Sequence, residues 1–282
     1  MEVVKDLVLD EERALYNKQQ LNVVNCRFDG PKDGESALKE CELIHVRNSF
    51  FNLRYPFWHA KKVSLENSEL TENCRAAFWY CVFTKVNHST LHGIKAFREC
   101  KLTLIAESDI DSKEFGWKCS RFNIRDSKIN SEYFAFESQY VYCENIDFTG
   151  KYSFQYCKNV IVKNSKLKTK DAFWHTNGVK VYDSVLEGEY LGWYSNNLTL
   201  IRCHIKGTQP LCYCKNLKLI DCTMEDTDLA FEYSFVKADI NGNIVSVKNP
   251  SKGFISADSI GKIIHEDDKY KGKCKITTRN ND

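Results

Sequence analysis

Apolar and small polar positions recur along this chain with a period of roughly 20 residues, which is typical of solenoid proteins. In each period a small residue, Ala, Gly, Ser or Pro, precedes an aromatic residue or a leucine. From first to last these second residues span 231 − 15 = 216 positions over eleven intervals. They are Leu15, Leu38, Phe57, Phe78, Phe97, Trp117, Phe136, Phe154, Phe173, Trp193, Leu211 and Phe231.

Two further columns follow the same register. A Ser/Cys column lies ten or eleven residues after the aromatic one: Cys26, Ser49, Ser68, Ser89, Ser108, Ser127, Ser165, Ser184, Cys203 and Cys222. An apolar residue follows two positions later, and an alternating stretch such as Val63-Ser64-Leu65 precedes it. Alternation with period two indicates a strand with one buried face. A repeat of about twenty residues has room for two or three short strands, but not for a helix of usual length in addition. The pattern therefore predicts an all-β, single-stranded parallel β-helix of about twelve coils with terminal caps.

A leucine-rich repeat horseshoe is the alternative architecture. The segment Val63-x-Leu65-x-x-Ser68-x-Leu70 matches part of that repeat, and Cys222 would occupy its Asn/Cys position. The outer arc of such a repeat has little room here, and each unit begins with an aromatic residue. These two features favour the β-helix.

The chain resembles the right-handed parallel β-helix superfamily typified by pectin lyase, and within it a bacterial family known only as a domain of unknown function. The resemblance extends from about Val3 to about Ile264. It implies a right-handed coil, but it implies no activity and no catalytic residues. The segments that carry it are Glu12-Arg13-Ala14-Leu15-Tyr16, Asp171-Ala172-Phe173-Trp174-His175, Gly188-Glu189-Tyr190-Leu191-Gly192-Trp193, Leu229-Ala230-Phe231-Glu232-Tyr233-Ser234, Ser246-Val247-Lys248-Asn249-Pro250 and Ala257-Asp258-Ser259-Ile260-Gly261.

The two ends depart from the repeat, as the ends of a solenoid must if they are to cover its last coils. We expect residues 1–16 to form the first strand and one cap. Residues 238–264 carry the turn sequence Asn241-Gly242, which predicts a hairpin in a second cap. We therefore predict one β-helix domain over residues 1–264 and a polar, frayed tail over residues 265–282.

Composition limits the classes of partner and the cellular compartment that we expect for this chain. The chain has 282 residues, 43% hydrophobic and 28% charged, with a formal net charge of +2. This balance argues against a disordered chain and against a nucleic-acid binder that reads phosphate by bulk charge. There is no apolar run of membrane-spanning length and no secretory signal pattern, so we expect a cytoplasmic protein without membrane association. The 13 cysteines are then expected to be reduced, and their columns predict buried free thiols.

The first and second positions after each small–aromatic pair carry aromatic residues on several coils, and we expect these residues to be exposed. In line, they suit stacking on sugar faces or packing against another protein. The predicted ligand-binding residues are Trp58, His59, Trp79, Trp174, His175, Tyr190, Trp193 and Tyr194. The alternative interpretation is that these rings pack against neighbouring corners of the coil.

Catalytic chemistry has weaker support. Glu189 and His175 come from neighbouring coils, and a carboxylate beside a histidine is able to perform acid–base work. No second carboxylate is evident beside them. Of the motifs of polygalacturonase-like enzymes, Gly-His-Gly and Arg-Ile-Lys are absent, and the Asp-Asp pair Asp267-Asp268 lies in the tail. Cys212-Tyr213-Cys214 has Cys-x-Cys spacing rather than the paired Cys-x-x-Cys of zinc sites, so we predict no metal and no cofactor.

These observations favour a non-catalytic binding or scaffold protein with a carbohydrate or protein partner. A carbohydrate-active enzyme that acts on a polysaccharide or oligosaccharide in a β-helix groove is the alternative. The oligomeric state does not follow from the sequence.

Overall fold

A computed structural model describes residues 1–30 and 35–280 of the chain. Within these residues there are strands, turns and irregular segments but no helix, and each strand pairing is parallel. The structure is a right-handed parallel β-helix of about 14 coils, which confirms the predicted fold class. Two compact units divide the chain, Met1–Tyr142 and Cys143–Asp282.

The first unit contains 14 complete strands, and a fifteenth strand continues past Tyr142 into the second unit. They are β1 (Glu2–Lys5), β2 (Gln19–Val24), β3 (Arg27–Phe28), β4 (Glu42–Arg47), β5 (Phe50–Phe51), β6 (Lys61–Glu66), β7 (Glu69–Leu70), β8 (Phe78–Trp79), β9 (Val82–Asn87), β10 (Thr90–Leu91), β11 (Phe97–Arg98), β12 (Lys101–Ala106), β13 (Asp109–Asp111), β14 (Ser120–Glu132) and β15 (Gln139–Lys151).

The second unit continues the alternation of longer and shorter strands. They are β16 (Lys158–Lys163), β17 (Lys166–Lys170), β18 (Asn177–Tyr182), β19 (Val185–Glu187), β20 (Asn196–Ile201), β21 (His204–Lys206), β22 (Leu217–Glu225), β23 (Phe235–Ile240), β24 (Asn243–Lys248), β25 (Lys252–Ala257), β26 (Ser259–Ile264) and β27 (Cys274–Thr278).

Identical positions stack on one another inside each unit. The rings of Phe57 and Phe78 lie 4.7 Å apart and 1° from parallel, and Phe97 continues the stack at 4.4 Å. In the second unit Phe154 and Phe173 stack at 5.2 Å. Parallel pairing in register causes this, because it places residue i of one coil beside its equivalent in the next. Each fully buried phenylalanine contributes roughly 2 to 3 kcal/mol of hydrophobic stabilisation.

The predicted row of inward-facing residues is wrong at Trp117 and Trp193, each of which lies one position after the buried residue of its coil. Trp117 pairs with Arg98, and Trp193 stacks on Trp174. The preceding glycines occupy the buried positions instead. A Cβ on Gly116 would lie 2.7 Å from the ring of Phe122, so the core beneath these coils is filled by a neighbouring side chain.

Phe136 also lies outside the stack, because Phe134 and Ala135 are the fully buried residues of that coil. The ring of Phe134 stacks on Phe115 at 5.5 Å.

The Ser/Cys column is confirmed as a buried ladder. Each serine hydroxyl bonds in two directions: Ser68 Oγ accepts the amide of Ser49 at 3.1 Å and donates to the carbonyl of Glu66 at 2.9 Å. The residue before each ladder position is in the left-handed region, with φ of 47° at Asn67 and 48° at Asn164. The hydroxyl therefore satisfies backbone groups where the chain turns sharply between two strands.

All 13 cysteines are buried and free, which confirms the predicted set of buried thiols. Many of their sulfurs donate weak hydrogen bonds to carbonyls of the preceding coil, as from Cys41 to Leu15 at 3.0 Å and from Cys214 to Gly192 at 3.1 Å. Burial raises the pKa of Cys41 and Cys214 to about 11 and that of Cys74 to about 12. These thiols therefore stay protonated in the folded protein at neutral pH.

The C-terminal segments differ from the prediction. Asn241-Gly242 does not close a hairpin, because β24 pairs in parallel with β26 while β23 pairs with β25. The tail is not frayed between residues 274 and 278, where β27 pairs with β25 over five residues. Strands at both ends thus continue the coil pattern, which accounts for about 14 coils rather than twelve.

Candidate functional site

The residues predicted to bind a ligand fall into two clusters. Trp58, His59 and Trp79 lie together in the first unit. In the second unit, ring contacts connect the remaining five, which are Trp174, His175, Tyr190, Trp193 and Tyr194.

A row of solvent-facing rings, here called the aromatic column, follows one corner of the second unit. It consists of Tyr156, His175, Tyr194, Tyr213 and Tyr233. Successive ring centroids are 5.1, 4.9, 4.8 and 5.6 Å apart, and the first three pairs deviate from parallel by 6°, 5° and 15°. All five residues have φ between 52° and 59°, so the chain turns outward at each of them. The corner therefore carries one outward ring per coil, exposed at Tyr156, His175 and Tyr194 and half-buried at Tyr213 and Tyr233.

The stacking decides which part of each ring a ligand meets. His175 is covered on both faces, by Tyr156 and by Tyr194. Tyr194 is covered in the same way by His175 and Tyr213. The column thus presents ring edges, with phenol hydroxyls and imidazole nitrogens, rather than open faces. This geometry does not support the expectation that these rings stack on sugar faces. Burial, reinforced by the Glu232 carboxylate, raises the pKa of the Tyr213 phenol, so its hydroxyl remains a donor.

A second layer of rings supports the column. Trp174 and Trp193 stack at 5.7 Å and 4° from parallel, and both are half-buried. The Trp193 indole N–H donates to the carbonyl of Gln209 at 2.8 Å, and that of Trp174 donates to Tyr190 at 3.2 Å. Because their N–H groups are bonded to the next corner, the indoles are held in place and serve chiefly as packing.

A charged group lies at the corner preceding these tryptophans. Lys170 Nζ is 2.8 Å from a carboxylate oxygen of Glu189 and 5.0 Å from the ring centroid of Tyr190. The backbone N–H of Asp171 donates to the Glu189 carbonyl at 2.9 Å, which places the two acidic residues on neighbouring coils.

Asp171 is the residue that sequence reasoning missed. It is only 7% exposed, and its carboxylate has no hydrogen-bond partner within the described chain. Burial raises the pKa of the Asp171 carboxyl, Lys170 opposes the rise, and Glu189 adds to it. Its position directly before Ala172-Phe173 was a sequence signal, because no other small–aromatic pair in the repeat is directly preceded by an acidic residue.

The two predicted catalytic candidates do not contact each other. Glu189 is held by Lys170, and His175 lies between two tyrosine rings. Within the described residues no hydrogen bond or ion pair joins them. Asp171, rather than His175, is the group whose environment is coupled to Glu189.

The cluster in the first unit alternates rings and cations. Trp58 and Trp79 stack at 5.8 Å, and Lys39 Nζ lies 4.4 Å from the ring of Trp58. Arg98 lies between Trp79 and Trp117, at 5.4 and 5.3 Å from their rings. His59 stacks on Tyr80 at 4.9 Å. Cation–π contacts of this kind stabilise a surface by roughly 0.5 to 1 kcal/mol each.

Residues 1–30 and 35–280 contain neither a candidate cluster of metal ligands nor a helix suited to spanning a membrane. No group of three or more His, Cys, Asp or Glu side chains in this range is arranged to hold a metal ion. The same residues contain no helix with the length and apolar character that crossing a bilayer requires.

A family profile described as "Protein of unknown function (DUF3737)" matches residues 2–277. No curated protein sequence matches the chain. Among solved structures, the chain is similar to a periplasmic alginate epimerase AlgG double mutant, with 13% identity, 92% of this chain and 78% of that chain covered, and a TM-score of 0.47.

The chain is also similar to the surface protein and adhesin PfbA of Streptococcus pneumoniae, with 8% identity, coverage of 98% and 89%, and a TM-score of 0.39. A third is a mannuronic acid specific polysaccharide family 6 lyase from human gut microbiota, with 7% identity, coverage of 97% and 79%, and a TM-score of 0.35. At these values none of the three carries an argument about what this chain does.

Proposed function

Because this chain belongs to the family of proteins of unknown function DUF3737, which brings no activity with it, we propose a function from the side chains themselves: it is a non-catalytic binding protein that holds a hydroxyl-rich polymer along the aromatic column. The observation that carries the proposal is the line of stacked ring edges from Tyr156 to Tyr233.

The edges supply hydrogen-bonding groups at a constant step. Ring centroids advance by 4.8 to 5.1 Å between Tyr156 and Tyr213, so phenol and imidazole groups repeat once per coil. A polysaccharide also repeats its hydroxyl pattern once per sugar unit, and a periodic ligand gains affinity from several equivalent contacts. The stacks hold the rings before binding, so little side-chain entropy is lost when the ligand arrives.

Tyr-to-Phe substitutions test this proposal without disturbing the stacks. The double variant Tyr194→Phe and Tyr213→Phe removes two hydroxyls and keeps both rings. Each hydrogen bond contributes roughly 1 kcal/mol, so affinity should fall about tenfold or more. Affinity electrophoresis in gels that contain mannan, xylan, β-glucan or polygalacturonate measures the effect.

Tyr140→Phe is the matched control, because Tyr140 is an exposed tyrosine that is 55% accessible and lies outside the column. Retardation by one of the polymers, weakened in the double variant and unchanged in the control, supports the proposal. Retardation by none of the four polymers, or equal retardation of the double variant and the unsubstituted protein, contradicts it.

A carbohydrate-active enzyme is the second candidate, and Asp171 favours it. Burial and the Glu189 charge raise the pKa of the Asp171 carboxyl, and two carboxyls in different environments are what a general acid and a base in one site require. The test is the release of reducing ends from the same four polymers. Release that Asp171→Asn abolishes supports an enzyme, whereas no release leaves the binding protein as the better account.

We also propose that the protein works in the cytosol. Thirteen buried, free thiols suit a reducing compartment. Cell fractionation with an antibody against the folded protein tests this, and recovery from a periplasmic or surface fraction would contradict it.

A further inference from the structure

A groove in the first unit lies apart from the aromatic residues described above. It has a volume of about 800 Å³ and follows the corner that contains the Ser/Cys ladder. Two rows of side chains form its walls, and we call it the corner groove. One wall consists of Asp6, Asn25, Asn48, Asn67 and His88, and the other consists of Val8, Arg27, Phe50, Glu69, Thr90 and His92.

The floor of the corner groove is already satisfied. Ser49 Oγ accepts the amide of Cys26 at 3.1 Å and donates to the carbonyl of Arg47 at 2.8 Å. Ser68 repeats both bonds one coil further on. The serine hydroxyls of the floor are therefore already bonded to the backbone, and recognition of a ligand depends on the walls.

The walls hold hydrogen-bonding groups without partners. The side-chain amides of Asn48 and Asn67 are exposed and make no hydrogen bond within the described chain. An amide supplies both an N–H donor and a carbonyl acceptor, so these two groups indicate a ligand that both accepts and donates hydrogen bonds.

Charge in the groove disfavours an anion. The guanidinium of Arg27 contacts Asp29 and lies 4.1 Å from the ring of Phe50, so its charge is already engaged. Asp6 and Glu69 add carboxylates to opposite walls. The two histidines face acidic residues as well, His88 contacting Glu107 and His92 lying 3.9 Å from Asp109. Asp6 is paired with Lys5 at 3.6 Å, whereas no ion pair involves Glu69 within the described residues, so a polyanion would meet the Glu69 charge here.

Spacing distinguishes a sugar chain from a peptide. Asn48 and Asn67 occupy equivalent positions on adjacent coils, and coils are separated by about 4.8 Å. A peptide strand advances about 3.3 Å per residue, so its polar groups fall out of step with the coils. A hexose unit in an extended chain is about as long as one coil is thick. Phe50 adds apolar surface of the kind that packs against a sugar ring.

We propose that the corner groove binds an uncharged oligosaccharide, with the amides of Asn48 and Asn67 bonding to its hydroxyl groups. This site is independent of the proposed function, because it uses residues 6–92 whereas the aromatic column uses residues 156–233.

Glycine substitutions test the proposal while preserving the backbone. Asn48 and Asn67 have φ of 50° and 47°, a conformation that glycine adopts without strain. The variant Asn48→Gly and Asn67→Gly removes both amides from the groove. Asn164→Gly is the matched control, because Asn164 has φ of 48° at the same corner position but lies outside the groove. Thermal unfolding of the variants verifies that they fold.

The probes are cellotetraose, xylotetraose and mannotetraose, with tetragalacturonate as the charged comparison, titrated into the full chain by calorimetry. We expect one neutral tetramer to bind, with affinity at least tenfold lower in the double-glycine variant and unchanged in Asn164→Gly and in the Tyr194→Phe, Tyr213→Phe variant.

Four results would overturn the proposal: no binding of any neutral tetramer, tighter binding of tetragalacturonate, affinity unchanged in the double-glycine variant, or an equal loss in Asn164→Gly. Loss of binding only in the tyrosine variant would assign the sugar to the aromatic column instead, and would likewise overturn the groove.

Discussion

Gly192 and Leu211 lie so close on consecutive coils that a Cβ atom on Gly192 would be 2.8 Å from Cδ2 of Leu211 and 3.0 Å from Cδ2 of Leu198. Gly192 also has φ of 78°, which disfavours any other residue. The absence of a side chain therefore allows two leucines to fill the core beneath the Trp174–Trp193 stack.

Gly192→Ala should lower the free energy of unfolding by about 2 to 4 kcal/mol, because overpacking adds to the cost of the left-handed conformation. Urea denaturation measures the change. Gly272→Ala isolates the backbone cost, since Gly272 has φ of 73° and no atom within 4 Å of the added methyl group. We expect a loss of about 1 kcal/mol there. Equal losses in the two variants would show that packing at Gly192 is unimportant.

Ser165 should be replaceable by cysteine but not by alanine. Its hydroxyl accepts the buried amide of Ile146 at 3.1 Å and donates to the Lys163 carbonyl at 2.6 Å. Ser165→Ala leaves the amide unpaired and should cost about 1 to 3 kcal/mol. Ser165→Cys should cost less, because Cys203 and Cys222 occupy the same column. Thermal unfolding compares the two, and an alanine variant as stable as the cysteine variant would contradict the ladder's role.

Alkaline pH should destabilise the fold through its buried thiols. Burial raises the pKa of Cys214 to about 11, whereas a thiol in the unfolded chain ionises near pH 8.5 to 9. Because its pKa is raised in the folded state, the Cys214 thiol makes its full contribution to the free energy of unfolding below the pKa of the unfolded chain. That contribution is lost as the pH rises toward 11. Cys214 alone should remove about 1.4 to 2 kcal/mol by pH 10.

Urea unfolding between pH 7 and pH 10.5 measures that loss. Cys214→Ser is the control, because serine occupies the same column at Ser195 and Ser234 and does not titrate in this range. The serine variant should lose about 1.4 to 2 kcal/mol less stability by pH 10 than the unsubstituted protein. Identical pH profiles would contradict the prediction.

Glu189→Gln should lower the pKa of the Asp171 carboxyl toward its ordinary value, because the Glu189 charge adds to the rise that burial causes. Lys170→Met should raise it further, since the cation opposes that rise. Carbon-13 NMR titration of the carboxyl resonance follows both changes. A shift of the same sign in the two variants would show that Asp171 does not sense this ion pair.

Much of the fold was predictable because its determinants repeat. Through most of the chain one inward residue per coil recurs every 19 to 23 positions in register, as in the pairs Phe28↔Phe51 and Thr103↔Phe122. The Ser/Cys ladder and the buried thiols follow from the same period. Trp193 was misplaced by one position because a small residue before an aromatic one looks alike in sequence, whether the glycine or the aromatic residue faces inward.

The sequence predicted which aromatic residues belong to the candidate site, but not how the site is arranged. Trp174, His175, Tyr190, Trp193 and Tyr194 do lie together, as their neighbouring coils required. Asp171 was missed because its burial and its lack of a partner depend on the coils on either side.

The sequence by itself determined the coil, because side-chain alternation and a constant period specify which residues must be removed from water. The tertiary structure alone decided what the surface offers to a ligand. Stacking between coils covers the faces of His175 and Tyr194 and leaves their edges exposed. In the same way, Asn48 and Asn67 become one wall of a groove only when successive corners align. Both properties arise from contacts between residues about 20 positions apart, and the geometry of those contacts is set by the register of the coils.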